Sequence, residues 1–300
     1  MKEFDKNITI LAWMKHLAEI FRKGGRERTS MMYISTLRSF LKFNKGKDIK
    51  LKNLDANCIQ AYERHLLQKG LARNTISFYM RILRSAYNKA QEEGLVPMKQ
   101  QFRHVFTSIE KTEKRAISLA DIRRIKRLKL ARNSMMDFSR DLFMFSFYTR
   151  GMSFVDIANL RKENIRDGYI VYHRQKTGQK LCIKIEPCIR NMLKKYQSPS
   201  PYLLPIYQSH HKEPYKNCQN RLAVVNRNLK KISALAGIKV QLSMYVARHS
   251  WATSAKDANV PIAVISEAMG HESVKTTQIY LASFQKSRID EVNKMILGMV

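Results

Sequence analysis

One segment of this 300-residue chain, residues 169–185, is patterned with a period of two residues. The alternation runs over Tyr169–His173, stops at Lys176–Gln179, and resumes over Leu181–Ile185. A period of two that is interrupted by a glycine-containing turn predicts a β-hairpin with Lys176 at its tip. Elsewhere the apolar residues recur at helical spacing. The sequence therefore predicts a mainly α-helical fold whose second domain holds one small β-hairpin or sheet.

Residues 1–105 predict an N-terminal domain of four helices separated by short polar breaks. In the second helix Ile34, Leu37 and Leu41 recur at helical spacing. Arg38 and Lys42 share another face of the same helix. This pattern predicts one apolar face in a core and one basic face outside it.

Polar residues mark the ends of the third and fourth helices. Asp55 is the predicted N-cap of the third helix, which ends at Gly70, and Asn74 is the predicted N-cap of the fourth. The fourth helix carries a polar face made of Ser77, Arg81, Arg84 and Asn88. Basic faces on two helices predict DNA contact, and the candidate DNA-binding residues are Arg38, Lys42, Ser77, Arg81 and Arg84. Many basic helix faces are only solvated, and that alternative stays open.

A break between domains is predicted at Gly94, Pro97 and the basic stretch that follows, with a linker over residues 106–116. Ser118 and Asp121 form a predicted capping box at the start of the second domain, residues 117–300. This domain is predicted to be helical apart from the hairpin. At the end of this domain, helical spacing of apolar residues predicts an amphipathic tail helix with Ile289, Val292, Met295 and Ile296 on one face.

Positive charge dominates the chain: 55 Lys and Arg against 24 Asp and Glu give a formal net charge of +31. Self-repulsion on this scale disfavours the compact state unless a polyanion partly neutralises it. Nucleic acid is the first candidate, and an anionic membrane surface is the second. The membrane alternative weakens because no apolar run reaches the roughly 18 residues of a spanning helix and no signal-peptide pattern opens the chain. We therefore expect a cytoplasmic, nucleoid-associated protein.

The cysteines are scattered along the chain, at Cys58, Cys182, Cys188 and Cys218. No CxxC pair occurs, and His210–His211 has no cysteine partner at zinc-finger spacing. We expect reduced thiols and no structural metal.

Residues 243–281 hold three features that bear on chemistry: Arg248–His249 in a predicted helix, a break at Gly270–His271, and Tyr280 near the end of a short helix. Taken singly, a tyrosine in a helix usually packs in a core, and a Gly-His pair often forms the C-cap of a helix. Together with Lys176 they form the set needed to attack a phosphodiester without a metal. The guanidinium neutralises charge on the non-bridging oxygens, the phenol forms a covalent intermediate, and the ammonium protonates the leaving oxygen.

These residues resemble the signature of the tyrosine recombinase (phage integrase) family, a HxxR box followed by a Gly-His pair and a tyrosine. Arg248 takes the place of the box arginine, Gly270–His271 that of the pair, and Tyr280 lies 9 residues after His271. Lys176, in the sequence RQKTGQ, matches the family's hairpin lysine. The N-terminal helices resemble the family's core-binding domain in pattern only. The resemblance covers nearly the whole chain.

The resemblance implies a reaction without cofactor, ATP or metal. A tyrosine attacks the DNA phosphate and leaves a 3′-phosphotyrosyl bond and a free 5′-hydroxyl, which then attacks a partner strand. Four protomers on two specific DNA sites exchange strands through a Holliday junction. The resemblance also implies that the tail helix docks on the neighbouring protomer, with packing on its own domain as the alternative.

Two positions depart from the family's pattern. Tyr245 stands where the box has histidine, and a tyrosine can donate a hydrogen bond to phosphate but is a poor general base at neutral pH. Ser153 stands where the family has its first catalytic arginine. Arg150 lies three residues earlier and, on a helix, would share a face with Ser153, so we predict that Arg150 supplies the second guanidinium. An arginine that packs at a helix start or pairs with Asp156 is the alternative. The RGMSF sequence and Tyr245 resemble a sub-group of integrases from Bacteroides and their mobile elements.

Two other functions stay open. A DNA-binding protein of the same fold that has lost catalysis shares the charge and the helices, and the changes at Ser153 and Tyr245 favour it. The presence of the other catalytic residues argues against it. A type IB topoisomerase uses the same phosphotyrosine chemistry on one duplex, but the short N-terminal helical domain fits a site-specific recombinase better. Integration, excision, inversion and resolution all fit the sequence.

Overall fold

The computed structural model describes residues 5–110, 115–207, 214–274 and 277–278. Two compact units divide the chain, Met1–Thr112 and Glu113–Val300, and each has its own hydrophobic core. The described residues are mostly helical, with one small antiparallel sheet in the second unit, which confirms the predicted fold class. Tyr280 and the predicted tail helix lie outside the described residues.

Four helices build the first unit, as predicted. In chain order they are α1 (Ile10–Lys23), α2 (Glu27–Phe43), α3 (Ala56–Gln68) and α4 (Arg73–Glu92), with a 3-10 helix at Leu51–Asn53. Asp55 caps α3, because its carboxylate accepts a hydrogen bond from the Cys58 amide at 2.7 Å. Ala72 precedes α4 instead of the predicted Asn74. The Asn74 side chain exchanges two hydrogen bonds with the backbone of Glu110 and caps nothing.

The helix α4 packs against α1, α2 and α3, so more than one narrow stripe of it is buried. Trp13 of α1 donates its indole N–H to the carbonyl of Ala86 at 2.8 Å. Ser77 follows the buried Ile76 in sequence and is itself fully buried. Its hydroxyl is therefore closed to solvent, which argues against the predicted DNA contact of Ser77.

Part of the predicted linker packs on the first unit. The amide of Phe106 donates to the Glu63 carboxylate at 2.7 Å, and the Arg73 guanidinium lies 5.2 Å from the centre of the Phe106 ring. The Asn74–Glu110 pair adds a further tie. Residues 106–110 are therefore part of the first unit and not a free connection.

The first helix of the second unit begins at the predicted capping box, in which the amide of Asp121 donates to Ser118 Oγ at 3.1 Å and the amide of Ser118 donates to Asp121 Oδ2 at 3.3 Å. Its elements in chain order are α5 (Leu119–Arg127), α6 (Met135–Tyr148), α7 (Phe154–Asn159), a 3-10 helix (Lys162–Asn164), β1 (Ile165–Arg166), β2 (Tyr169–His173), β3 (Lys180–Lys184), α8 (Pro187–Lys195), α9 (Pro214–Leu235), α10 (Met244–Asp257) and α11 (Ile262–Ala268).

The helix α6 lies at the centre of the second core. Its run Leu142–Phe145 is buried, and the helix packs against α9 and α10. An ion cluster holds α8 beside it: Lys195 Nζ lies 2.7 Å from Asp137 and 2.6 Å from Asp141, and Arg140 pairs with both carboxylates. Each buried carboxylate thus has two cationic partners, which offset the cost of removing it from water.

The predicted β-hairpin is confirmed as β2 and β3, with Ile170 opposite Ile183 and Tyr172 opposite Leu181. Ile170, Tyr172 and Ile183 are buried, so one face of the hairpin rests on the core. The two-residue strand β1 pairs with β2 and is too short to leave a sequence pattern. None of the helices in the described ranges combines the length and apolar character needed to cross a membrane.

Candidate active site

Two segments hold the guanidinium of Arg248, which is buried in α10: the turn at Gly151 and the stretch Met269–His271. Nη1 donates to the carbonyl of Gly151 at 2.7 Å. Nη2 donates to the carbonyl of Met269 at 2.9 Å and lies 2.9 Å from His271 Nε2. These contacts fix the orientation of the guanidinium, because its planar fork can satisfy all three only in one pose.

The turn between α6 and α7 brings backbone directly against Arg248. Gly151 has φ +74°, and a Cβ at this position would lie 2.8 Å from Arg248 Cα, so only glycine fits. Arg150 also has a left-handed φ of +58°. This conformation costs a non-glycine residue about 1–2 kcal/mol, and such strain clusters at functional sites.

This turn overturns the helical geometry on which the Arg150 prediction was based. The helix α6 ends at Tyr148 and α7 begins at Phe154, so Arg150 and Ser153 do not share a helix face. Ser153 is the N-cap of α7, and its hydroxyl donates to Asp156 Oδ2 at 2.7 Å. Two consecutive left-handed residues separate the helices and set Arg150 apart from Ser153.

His271 is buried, and its Nδ1 lies 2.7 Å from Thr277 Oγ1. Burial, followed by the positive charges of Arg248, Arg174 and Lys176, lowers the pKa of His271 to about 4. The imidazole is therefore uncharged at neutral pH.

The β2–β3 turn packs against the Gly270–His271 pair. Thr177 Oγ1 donates to the carbonyl of Gly270 at 3.3 Å, and Gln179 Nε2 donates to the carbonyl of His271 at 3.4 Å. Lys176 lies in this turn with an exposed side chain, close enough for its charge to act on His271. The fold thus brings the hairpin lysine and the Gly-His pair together across a long stretch of sequence.

Arg174, two residues before Lys176, belongs to this cluster, although no sequence pattern singled it out. Its side chain is buried, and Nη1 donates to the carbonyl of Gly270. Its Nε is buried and has no hydrogen-bond partner among the described residues. A buried N–H without a partner is costly, and an incoming anion would relieve that cost. The one available signal was a second basic residue in the hairpin sequence RQKTG.

The charges of three arginines act on the hydroxyl of the buried Tyr172. Burial, followed by the negative charge of Asp156, raises the pKa of its hydroxyl, and the charges of Arg248, Arg174 and Arg150 act in the opposite direction. All three guanidinium groups therefore lie within electrostatic reach of a single phenol. The site is a concentration of positive charge around a partly buried centre.

Tyr245 lies at the surface of α10, one turn before Arg248. Its side chain is 59% exposed, and its ring packs edge-on against His249 with centroids 4.2 Å apart. Of the residues predicted to be catalytic, the structure brings together Arg150, Lys176, Arg248 and His271. Tyr280 lies outside the described residues, so its position relative to this cluster stays a prediction.

The remaining predicted DNA-binding residues of the first unit differ in exposure. Arg38 and Lys42 are exposed on α2. Arg84 is exposed on α4 and donates to Thr107 Oγ1 at 3.2 Å. Arg81 is half-buried, and its Nε donates to the Ser77 carbonyl at 3.4 Å. Arg38, Lys42 and Arg84 therefore present their charge to solvent more fully than Arg81.

Two family models match the chain. The phage integrase SAM-like domain matches residues 9–107, and the phage integrase family matches residues 121–287. A curated relative, a tyrosine recombinase from Pseudothermotoga lettingae, is 25% identical over 280 residues, which cover 90% of this chain and 92% of that protein.

Solved structures share the fold of this chain. A lambda integrase dimer bound to a COC′ core site matches with a TM-score of 0.70 at 16% identity, covering 93% of this chain and 99% of that one. A lambda integrase tetramer bound to a Holliday junction matches with a TM-score of 0.69 at 15% identity, covering 94% and 80%. The catalytic family model spans more than half of the chain and the SAM-like model most of the remainder. This chain therefore belongs to the phage integrase family.

Proposed function

We propose that this protein is a site-specific DNA recombinase that cuts and rejoins DNA strands through a 3′-phosphotyrosyl intermediate, without metal or ATP. The observation that carries the proposal is the cluster of Arg248, Arg174 and neutral His271, with Lys176 at its edge. Preorganised cations around one point stabilise the charge that develops on a phosphate under attack. The net charge of +31 supplies the long-range attraction to DNA.

The proposed reaction begins when the phenolic oxygen of Tyr280 attacks the scissile phosphorus. A new O–P bond forms as the phenolic proton is released to solvent, the bond to the 5′ oxygen breaks, and Lys176 gives that oxygen a proton. Lys176 recovers a proton from the 5′-hydroxyl that attacks in the second step. A 5′-hydroxyl from the partner strand then attacks the phosphotyrosyl bond and releases Tyr280. The number of phosphoester bonds is unchanged, so no external energy source is required.

Two residues are candidates for the second guanidinium on the phosphate. Arg150, the candidate from the sequence, lies on a left-handed turn, and its charge reaches Tyr172. Arg174 is buried beside the Gly-His pair, and its buried Nε has no partner in the part of the chain that the structure describes. Because the Arg174 guanidinium donates to the Gly270 carbonyl and its charge acts on His271, we propose Arg174 for the role and retain Arg150 as the alternative. Ser153 has no direct part in this scheme, because it caps α7.

The exposed Tyr245 is proposed to donate a hydrogen bond to a DNA phosphate oxygen. Arg38, Lys42 and Arg84 are proposed to contact the DNA backbone from the first unit, with a smaller part for Arg81.

The assembly we propose is a homotetramer on two core sites, with the tail exchanged between protomers. A lambda integrase that shares this fold is a tetramer bound to a Holliday junction. A DNA substrate would place the enzyme in the cytoplasm at the nucleoid. The RGMSF sequence and Tyr245 are the grounds for placing it near the Bacteroides-type integrases.

Covalent capture of DNA would test this function. The purified protein is incubated with nicked fragments of the DNA that surrounds its own gene, the covalent complexes are isolated under denaturing conditions, and the attached DNA is sequenced. A site-specific recombinase yields fragments that converge on one short sequence. Fragments spread evenly over the DNA would indicate a type IB topoisomerase, and an absence of attached DNA would indicate a non-catalytic binding protein. Either of these results would overturn the proposal.

A further inference from the structure

The imidazole of His271 lies between two hydrogen-bonding partners of different character. On one side, Nε2 is 2.9 Å from Nη2 of Arg248. On the other side, Nδ1 is 2.7 Å from the hydroxyl of Thr277, a residue that is fully buried. A guanidinium can only donate hydrogen bonds, whereas a hydroxyl can donate or accept. Nε2 must therefore be the acceptor in the contact with Arg248.

This arrangement assigns the proton of the neutral imidazole. Since Nε2 accepts, the ring proton is on Nδ1 and is donated to Thr277 Oγ1. The charged groups that act on His271 are Arg248 from α10 and Arg174 and Lys176 from the hairpin, all of them cations. They disfavour a second proton on the ring. A tautomer with the proton on Nε2 would direct one N–H against another, and the contact with Arg248 would be lost.

We propose that Thr277 is a positioning residue. Its hydroxyl accepts a hydrogen bond from Nδ1–H of His271, which keeps the Nε2 lone pair directed at Arg248. The hydrogen bond to Nε2 in turn holds the guanidinium of Arg248 in place for the scissile phosphate. The inference rests on the proposed function of the Arg248 cluster. Thr277 lies three residues before Tyr280 in sequence. The segment that carries the proposed nucleophile therefore also sets the tautomer of His271.

Two variants of Thr277 separate the hydroxyl from the shape of the side chain. Thr277→Val keeps the shape and removes the acceptor, and Thr277→Ser keeps the acceptor. We measure the single-turnover rate of covalent complex formation on a nicked site at saturating DNA. Thr277→Val should be about tenfold slower than the parent, the rate equivalent of one neutral hydrogen bond. Thr277→Ser should stay within about threefold, and melting curves should show that both variants are folded.

A second measurement does not depend on catalysis. The ¹⁵N resonances of the imidazole report which ring nitrogen carries the proton, and His271→Gln identifies the signals of His271 among the 8 histidines. We expect Nδ1 to be protonated and Nε2 bare in the parent protein without DNA. In Thr277→Val this preference should weaken, and Thr277→Ser should restore it.

The outcomes distinguish this inference from the proposed function. A proton on Nε2 in the parent, or equal cleavage rates for the parent and Thr277→Val, would overturn the positioning role while leaving recombination intact. A serine variant as slow as the valine variant would also overturn it. If the parent forms no covalent complex, the proposed function fails, and the ¹⁵N spectrum still decides whether Thr277 sets the tautomer.

Discussion

Replacing Arg174 by alanine should affect stability and catalysis very differently. Without DNA, the guanidinium donates to the Gly270 carbonyl and buries an Nε that has no partner among the described residues. The charge-assisted hydrogen bond contributes about 1.5–3 kcal/mol, and the buried nitrogen costs about 1–3 kcal/mol. Because these contributions have opposite signs and similar size, we expect the free energy of unfolding to change by less than about 2 kcal/mol.

Cleavage should respond much more strongly. The proposed partner of the Arg174 guanidinium is a phosphate whose negative charge grows in the transition state. Loss of one preorganised donor costs about 2.7–4 kcal/mol of transition-state stabilisation, or about 10²–10³-fold in rate. Arg174→Lys keeps the charge but loses the planar fork, so it should recover only part of the rate. Arg150→Ala is the matched control, because it removes the same group from the competing candidate.

The assay is single-turnover cleavage of a nicked site at saturating DNA, with chemical denaturation run in parallel on each variant. The pKa of His271 provides a check on proximity: the Arg174 charge lowers it, so Arg174→Ala should raise it from about 4. If Arg174→Ala cleaves within about threefold of the parent while Arg150→Ala is inactive, Arg150 supplies the second guanidinium and the proposed role of Arg174 is wrong. If both variants cleave normally, neither arginine binds the phosphate.

Three further expectations follow from the same site and from the charge of the chain. Lys176→Ala should lose about 10²–10⁴-fold in cleavage rate, and a 5′-bridging phosphorothiolate, whose leaving group needs no proton, should rescue it; no rescue would reduce Lys176 to a DNA-positioning role. The pKa of His271 is lowered to about 4, so the unfolded chain takes up a proton that the folded chain does not as pH falls from about 6.5 to 4. The free energy of unfolding should therefore fall by up to about 3 kcal/mol over that window, and a His271→Gln variant with the same slope would contradict the shift. With about 6–10 phosphate contacts, DNA affinity should drop roughly 10³–10⁵-fold between about 50 and 200 mM salt, and a flat response would exclude a charge-driven DNA interface.

Features that depend on neighbours in sequence were predictable. The hairpin follows from a period of two around a glycine turn, and the Ser118–Asp121 capping box from residues three apart. The Asp55 cap is of the same kind. In each case the contacts that stabilise the element join residues of one short continuous segment, so the local pattern contains the needed information.

Features that depend on distant contacts were not predictable. One of the two carbonyls that hold Arg248 lies 97 residues away in sequence, and the one that holds Arg174 lies 96 residues away. A contact between residues so far apart leaves no periodic pattern in the sequence, so the burial of Arg174 could not be predicted. Ser77 was assigned to a polar face because α4 was taken to pack on one side only, whereas three helices surround it.

The helical geometry assumed for Arg150 was wrong for a different reason, and its role stays a prediction. The glycine that follows it allows two consecutive left-handed residues, which end α6 before the turn. The sequence shows the glycine but not the close approach of Arg248 that requires it.

Identification of the residue that becomes attached to DNA tests the proposed chemistry. The covalent complex formed on a nicked site is digested with protease and nuclease, and the nucleotide-linked peptide is sequenced by mass spectrometry. We expect the modification on Tyr280, and we expect Tyr280→Phe to bind the site with near-normal affinity but to form no adduct. An undiminished adduct in Tyr280→Phe, or a modification on any other of the 13 tyrosines, would contradict the assignment of the nucleophile.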